Sequence, residues 1–330
     1  MKDNSTEAGR ISDRLIVYLR DQLKNPKIEY REPLMKLQGG YETSIYRFQL
    51  EGIGGDLSQH LVLRLYPQFY GTQNAIWEST VQNVLAGERY PVARVHQLCT
   101  DMNVLGGAFF IMDYIPGQPL MFAATEKVPE LMGKIHATLH LIDPRPLIES
   151  FETQGVDHYE YSFNSRVNWL KNKAQKYPWI AKAVNWFVDN KPPEPALLSV
   201  CHGDFHALNI LVNEGQVTGV LDWPGFAIAD PVFDVANTLV LITIPSKYLI
   251  ASMEGFSSVN WDLAAELYLS AYQAQRDLDL TNMDYYRVRR CLMGLIQGVE
   301  GQKIWQHPLI VADLVGYIEK ITGILIEMPT

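Results

Sequence analysis

The segment CHGDFHALN spans residues 201–209, and the short motif VLDW follows it at residues 220–223. Asp204 and Asn209 stand five positions apart in the first segment, and Asp222 lies in the second. Two carboxylates and a side-chain amide are hard oxygen ligands, the kind that Mg²⁺ takes beside phosphate groups. The two motifs therefore indicate both the fold and the chemistry of the chain, provided that these three side chains meet.

The residues between the two motifs predict how they meet. Asn213-Glu214-Gly215 is a plausible hairpin turn, so strands over 208–212 and 216–221 are expected to run antiparallel. Asn209 and Asp222 then emerge at the open end of the hairpin, close to the first carboxylate. The spacing Asp-x-x-x-x-Asn is that of a kinase catalytic loop, in which the Asp accepts the proton of the attacking hydroxyl and the Asn holds a metal ion. We therefore expect a phosphoryl-transfer site.

Hydrophobic periodicity divides the rest of the chain into two parts. Up to about residue 115, helices over 11–23 and 74–85 are expected among strands over 28–37, 44–50, 61–66 and 108–115. After Gly117 the pattern is almost wholly helical, apart from the hairpin. These patterns predict an α+β fold of two lobes, a small antiparallel-sheet lobe over residues 1–115 and a larger, mainly helical lobe over residues 116–330.

Composition limits the partners of the protein. The chain has 330 residues, of which 47% are hydrophobic, and 28 Lys and Arg against 37 Asp and Glu give a net charge of −9. An acidic chain is a poor general nucleic-acid binder, because that role needs excess basic charge. The three separated cysteines indicate reduced thiols, and the longest apolar run, Val235–Pro245, is shorter than the roughly 18 residues of a membrane span. We expect a cytoplasmic protein without nucleic-acid or membrane partners; its oligomeric state is left open.

The sequence resembles the aminoglycoside phosphotransferase and choline kinase-like family, small-molecule kinases with the eukaryotic-like protein kinase fold. The resemblance rests on His202-Gly203-Asp204 with Asn209, on Leu221-Asp222-Trp223, and on Asp230-Pro231 with Asp234. It implies ATP and Mg²⁺ as cofactors, Asp204 as the catalytic carboxylate, and Asn209 and Asp222 as metal ligands. It also implies that Asp234 braces the catalytic loop through the backbone near His202.

Weaker matches in the first lobe imply contacts with the nucleotide. Gly39, Gly40 and Ser44 fall in the loop that covers the phosphates in the family, although a Gly-Gly pair is more often a simple turn. Arg64 stands where the family often has a Lys on the α/β-phosphates, and Glu78 would be its ion-pair partner or else a solvated helix charge.

The end of the last strand of this lobe would form the hinge of the family. Next to Met112, main-chain groups of Asp113 and Ile115 would bind adenine, and the plain alternative is a buried strand without a ligand. Leu139-His140 resembles a Leu-His pair of the family and is interpreted as packing. His202, Asp204 and His206 could instead ligate a metal in a phosphohydrolase, but no second His/Asp cluster completes such a site.

The acceptor is less defined than the nucleotide. The segment after Asn260 mixes acidic and aromatic residues that could receive a cation such as an aminoglycoside or choline, namely Asp262, Glu266, Asp277, Asp279 and Asp284 with Trp261, Tyr268, Tyr272, Tyr285 and Tyr286. We expect a small-molecule hydroxyl acceptor, with an aminoglycoside-like antibiotic as the family-level hypothesis. Macrolides, amino alcohols, sugars and a nucleotide-binding pseudokinase stay as alternatives.

Overall fold

The computed structural model describes residues 4–37, 43–123, 127–195 and 197–329. Its chain forms two units, one of Met1–Gln118 with Leu211–Pro224 and one of Pro119–Ile210 with Gly225–Thr330. The first boundary lies close to the expected one at residue 115. The segment that carries Asp222 groups with the first unit, whereas we expected it in the second lobe.

The helices and strands follow one another along both units. The helices are α1 (Asn4–Gln22), α2 (Gln73–Gly87), α3 (Met102–Leu105), α4 (Val128–Leu141), α5 (Arg145–Thr153), α6 (His158–Tyr161), α7 (Phe163–Lys176), α8 (Ala181–Asp189), α9 (Pro231–Thr243), α10 (Pro245–Leu249), α11 (Trp261–Gln273), α12 (Met283–Val299) and α13 (Pro308–Thr322). The strands are β1 (Glu29–Lys36), β2 (Ser44–Glu51), β3 (His60–Leu65), β4 (Val95–Cys99), β5 (Phe109–Asp113), β6 (Gln118–Pro119), β7 (Ser199–Cys201), β8 (Ile210–Asn213), β9 (Gln216–Val220) and β10 (Ala227–Ala229).

The first unit is built on a five-stranded antiparallel sheet of order β1-β2-β3-β5-β4. Alternate residues of β2, Tyr46, Phe48 and Leu50, are buried because successive side chains of a strand point to opposite faces. Leu15 and Leu19, one turn apart on α1, belong to the same core cluster. The sheet is thus the support on which β3 and β5 carry the predicted nucleotide contacts.

The hairpin of β8 and β9 has the turn that its sequence predicts. Glu214 and Gly215 both have positive φ, 49° and 76°, as a two-residue type I′ turn requires. The Val220 amide donates to the Pro91 carbonyl over 2.7 Å, and the Thr218 hydroxyl donates to the Pro116 carbonyl over 3.0 Å. These bonds join the hairpin to residues of the N-terminal part, which explains why it groups with the first unit.

The second unit is mainly helical, and its most buried helix is α9. Together α9 and α10, Pro231–Leu249, have the length and apolar composition of a membrane span, so the expectation that no run approaches that length was wrong. However, 72% of this window is buried inside the structure, and α9 packs against α11 and α12. The core helix of a folded domain passes the same compositional test, so length and composition here are weak evidence for a membrane.

Candidate active site

Three charged side chains meet in the first unit, on β3, on α2 and just after β9. Arg64 Nη2 lies 2.9 Å from Asp222 Oδ1 and 3.3 Å from Glu78 Oε1. Arg64 and Glu78 are buried, whereas the Asp222 side chain is 48% exposed. Although burial acts to lower the pKa of Arg64, the charges of Glu78 and Asp222 outweigh it and raise that pKa. Glu78, the ion-pair partner predicted from the sequence, therefore lies beside Arg64. Asp222, the predicted metal ligand, lies beside the same arginine.

The backbone of Asp222 has an uncommon conformation. Its φ is +69°, in the left-handed region that non-glycine residues seldom adopt, although Asp does so more readily than most. Such conformations occur most often at functional sites, where the surrounding structure imposes them. The half-exposed carboxylate lies two residues after Val220, the buried end of β9.

The predicted hinge lies at the end of β5. Met112 is buried, and the Asp113 amide donates to the Arg94 carbonyl over 3.0 Å, so this amide already has a partner. Asp113 Oδ1 also lies 2.6 Å from His96 Nε2. Over the described part of the chain, the amide of Ile115 donates to no backbone carbonyl. Of the two residues whose main-chain groups are predicted to bind adenine, Ile115 thus has the more available amide.

The predicted phosphate loop is described in part. Ser44 begins β2 and pairs with Leu65 of β3. Gly39 and Gly40 lie outside the described residues.

The catalytic loop of the second unit follows β7, which pairs with β10. Gly203 has a φ of +83°, and a Cβ at this position would lie 2.0 Å from the carbonyl oxygen of Gly225. Only glycine therefore fits between the histidine and the aspartate of the motif. The Asn209 side-chain amide donates to the Asp204 carbonyl over 3.1 Å, which ties the two ends of the loop together and leaves Oδ1 of Asn209 as an oxygen ligand.

The Asp204 carboxylate is 43% exposed and lies 3.5 Å from His206 Nε2. Burial raises its pKa, but the hydrogen bond and charge of His206, with smaller effects of Arg290 and His202, lower it to about 2. The group is therefore ionised at neutral pH. His202 Nδ1 accepts the Asp204 amide over 3.2 Å and the side chain is buried, so this histidine supports the loop.

Asp234 braces the loop from behind, as the resemblance implies, and this expectation is confirmed. Its Oδ1 accepts the Gly203 amide over 2.8 Å, and its Oδ2 accepts the His202 amide. The carboxylate is fully buried. Burial raises the pKa of Asp234, but the bonds and charges of His136 and His140 hold it well below its usual value.

The two histidines that bind Asp234 were missed from the sequence. His136 Nε2 and His140 Nε2 lie 3.0 and 3.2 Å from Asp234 Oδ2, and their Nδ1 atoms each lie 2.7 Å from a tyrosine hydroxyl, of Tyr268 and Tyr272 respectively. Because an ionised carboxylate only accepts, each Nε2–H donates to Asp234 and each Nδ1 accepts from tyrosine. His140 is buried, as its interpretation as packing implies, but its hydrogen bonds to Asp234 and Tyr272 were not expected. The repeated spacing of four residues in both pairs was the available signal.

This cluster could also be considered as a metal site. The ligand atoms of His136, His140 and Asp234 all lie within 4.8 Å of one another. Yet every ring nitrogen and both carboxylate oxygens already have hydrogen-bond partners. Burial and the neighbouring His136 lower the pKa of His140 to about 3, so its ring is neutral. The three side chains therefore form a hydrogen-bond network in which each of these nitrogen and oxygen atoms already has a partner.

The residues expected to attract a cationic acceptor differ in burial within the second unit. The acidic side chains of the segment after Asn260 are exposed, whereas four of its aromatic side chains are buried in the core: Tyr268, Tyr272, Tyr285 and Tyr286. Two of these tyrosines belong to the Asp234 network.

Comparison with known proteins adds a family and a fold. The chain matches the phosphotransferase enzyme family over residues 34–279. A Ralstonia eutropha protein assigned as an aminoglycoside phosphotransferase has a similar crystal structure, with a TM-score of 0.64 and 19% identity, over 93% of this chain and 98% of that one. A thermostable aminoglycoside phosphotransferase mutant, in complex with AMP-PNP and hygromycin B, gives a TM-score of 0.63 and 14% identity, over 94% and 99%. The predicted α+β, protein kinase-like fold is confirmed.

Curated sequences give a different kind of relative. Acyl-CoA dehydrogenase family member 10 of Mus musculus is 26% identical over 194 residues, which is 54% of this chain and 18% of that protein. Among the curated relatives compared, the chain spans between 18% and 34% of the relative's length.

Proposed function

Since this chain belongs to the phosphotransferase enzyme family and is a phosphotransferase with hydroxyl acceptors, we propose that Asp204 orients the attacking hydroxyl of a small molecule toward the γ-phosphoryl group of ATP. Asn209 and Asp222 are the metal ligands of this proposal. Arg64, with Glu78 beside it, is the cation for the α/β-phosphates, and Ile115 the hinge contact to adenine. The observation that carries the proposal is the braced loop. The buried Asp234 carboxylate accepts the amides of His202 and Gly203, and the next residue along the chain is Asp204, whose carboxylate is exposed.

The donor set fits Mg²⁺. The Asp222 carboxylate is half-exposed, and Asn209 Oδ1 is left over when its amide nitrogen bonds the Asp204 carbonyl. Carboxylate and amide oxygens are ligands that Mg²⁺ prefers. When bound, the ion would neutralise charge on the phosphates.

Asp204 acts by position more than by basicity. With a pKa of about 2 it is ionised at any physiological pH, but it is a weak base. Phosphoryl transfer has a loose transition state and depends mostly on alignment and charge stabilisation, so a weak, well-oriented acceptor of the hydroxyl proton suffices. The bond from Asn209 and the brace of Asp234 supply that orientation.

For the acceptor, an aminoglycoside-like antibiotic is the hypothesis that rests on the family. A hydroxylated acyl thioester is a second candidate, favoured by the names of the curated relatives. Macrolides, amino alcohols and sugars complete the panel to be tested.

The test is phosphate transfer from Mg·ATP to this panel, followed by mass spectrometry of the products. We expect a phosphorylated product with the wild-type chain and with Asp189→Ala, which removes an exposed carboxylate as a control. Asp222→Ala should abolish the product. Transfer at the wild-type rate in Asp222→Ala would contradict the proposal, and stabilisation by Mg·ATP without any transfer would favour a pseudokinase.

A further inference from the structure

Helix α9 binds the catalytic loop by two backbone carbonyls as well as by the amides described above. Asn237 and Thr238 are fully buried and lie three and four positions after the bracing carboxylate, so all three side chains share one face of the helix. Asn237 Nδ2 donates to the Gly203 carbonyl over 3.3 Å, and Thr238 Oγ1 donates to the Phe205 carbonyl over 2.9 Å. The helix therefore holds the residue before Asp204 and the residue after it.

The ring of Phe205 is fixed in addition to its carbonyl. It stacks on the His136 ring, with centroids 3.9 Å apart and an angle of 16° between the planes, and the His202 ring meets it edge-on at 5.7 Å. Phe205 is fully buried, and His136 is itself hydrogen-bonded to Asp234. The residue after Asp204 thus cannot shift without losing a hydrogen bond and a ring stack.

The residue before Asp204 is fixed on both of its polar groups. The Gly203 amide donates to the bracing carboxylate, its carbonyl accepts from Asn237, and its close contact with Gly225 leaves no room for a side chain. The Asp204 amide donates to His202 Nδ1. With its backbone held on both sides, Asp204 can place its carboxylate only in the few staggered rotamers that the fixed backbone allows.

We propose, on the basis of the proposed function, that Asn237 and Thr238 are positioning residues that direct phosphoryl transfer to the acceptor hydroxyl in preference to water. By fixing the carbonyls on either side of Asp204, they hold its carboxylate where it aligns that hydroxyl. Both side chains are fully buried, so they act through the loop and not by contact with the substrate.

The two competing reactions differ only in the attacking oxygen. In transfer, the bond from the acceptor oxygen to the γ-phosphorus forms, the bond from the γ-phosphorus to the bridging oxygen of ADP breaks, and the hydroxyl proton passes to Asp204. In hydrolysis, water takes the place of the hydroxyl and inorganic phosphate leaves. A misplacement of about 1 Å can cost about 10²-fold in rate, so a loosened Asp204 should penalise the aligned reaction most.

The first experiment measures both products for Thr238→Val, which replaces the hydroxyl by a methyl group of similar size. The donor is Mg·ATP, and the acceptor is the compound of the test panel that the wild type phosphorylates fastest. We expect kcat for transfer to fall about 10- to 100-fold, KM for ATP to stay unchanged, and the ratio of phosphorylated acceptor to inorganic phosphate to fall. Asn237→Leu should act in the same direction with a smaller loss, because its bond is longer.

The ratio separates positioning from mere stability. A variant that is only less stable contains less folded enzyme, which lowers both products equally and leaves their ratio unchanged. Thr243→Val is the matched control, because the Thr243 hydroxyl also donates to a carbonyl, that of Leu239, but within α9 itself. It should leave kcat and the ratio unchanged. Thr238→Ser keeps the donor and should recover most of the lost kcat, and Thr238→Ala replaces the valine variant if that one does not fold.

The second experiment needs no acceptor and no turnover. Hydrogen exchange of the backbone amides over residues 201–209, followed by mass spectrometry, reports how firmly the loop is held. We expect exchange about 10-fold faster in Thr238→Val than in the wild type, and no change in Thr243→Val.

The outcomes separate this inference from the proposed function. If the wild type transfers phosphate to no acceptor, the proposed function fails, and hydrogen exchange alone then decides whether the two side chains hold the loop. If the wild type transfers phosphate but Thr238→Val and Asn237→Leu keep its kcat and its product ratio, the inference is wrong and the proposed function stands. Faster exchange with an unchanged product ratio would also overturn the inference, because the loop would then be held without directing transfer.

Discussion

The two units stabilise a buried charged side chain in different ways. In the first, a buried cation, Arg64, is held between the carboxylates of Glu78 and Asp222. In the second, a buried carboxylate, Asp234, is held by backbone amides and by the rings of His136 and His140. The first unit is balanced by direct ion pairs, whereas the second positions its anion through hydrogen-bond donors. A change of one residue should therefore break the two networks differently.

The largest effect on stability is expected for Asp234→Ala. The change leaves two buried amides and two histidine N–H groups without an acceptor, and removal of one partner from a buried charged network typically costs about 3–5 kcal/mol. Urea denaturation measures the free energy of unfolding. Full stability combined with abolished turnover would show that Asp234 acts in the chemistry and does not brace the loop.

The matching change in the first unit is Arg64→Met, which removes the guanidinium that lies 3.3 Å from the buried Glu78 carboxylate. We expect a loss in the free energy of unfolding within the same range of about 3–5 kcal/mol, toward its lower end because Asp222 is half-exposed. Arg64→Lys should recover part of this stability. KM for ATP should rise in both variants if the arginine also contacts phosphate. Unchanged stability in Arg64→Met would mean that the ion pairs do not hold the first unit.

The pH dependence of stability separates the two units further. The folded-state pKa of His140 is about 3 against an ordinary value of 6.5, so the unfolded chain binds a proton that the folded chain does not. Stability is then fully present above about pH 6.5 and falls as the pH drops toward 3, by up to about 1.4 kcal/mol per pH unit. Urea denaturation at pH 7 and pH 5 should show a shallower fall in His140→Gln than in the wild type. Parallel curves would contradict a neutral, buried His140.

The smallest loss of stability is expected for the two tyrosines that bind the histidines of the Asp234 network. Tyr272→Phe removes one hydroxyl and leaves His140 Nδ1 without its donor, at a cost of about 1–3 kcal/mol for the unsatisfied atom. The paired change, Tyr268→Phe, should cost a similar amount through His136. Measured by thermal unfolding, both should be milder than Asp234→Ala. If either tyrosine variant lost more stability than Asp234→Ala, the tyrosines and not Asp234 would be the main support of the loop.

Local signals predicted much of this structure. The turn at 213–215 and the Asp204 to Asn209 spacing are short-range patterns, and the hairpin appears where the turn indicates it. The brace by Asp234 was implied by the family resemblance, because its bonds span more than 30 positions of sequence. The histidine network depends on partners 132 positions away, which periodicity cannot reveal. Likewise, Arg289 and Arg290 have the pattern of helix charges, and their burial arises only when Phe233 and Trp305 cover them.

The unit to which the β8–β9 hairpin belongs is a second feature that local sequence patterns could not predict. Its strands follow from a local turn, but its attachment to the first unit depends on the bond from Val220 to Pro91, far apart in sequence. Sequence position alone placed Asp222 with the second lobe. The observed grouping puts this predicted metal ligand beside Arg64.

The central claim, that an exposed carboxylate on a braced loop directs phosphoryl transfer to a hydroxyl, is tested most directly at Asp204. The measurement is the rate of label transfer from γ-labelled ATP to the phosphorylated acceptor by the wild type, Asp204→Ala and the control Asp189→Ala. We predict a loss of about 10²–10⁴-fold in kcat for Asp204→Ala with nucleotide binding retained, and no loss for the control. Transfer by Asp204→Ala at the wild-type rate would contradict the account.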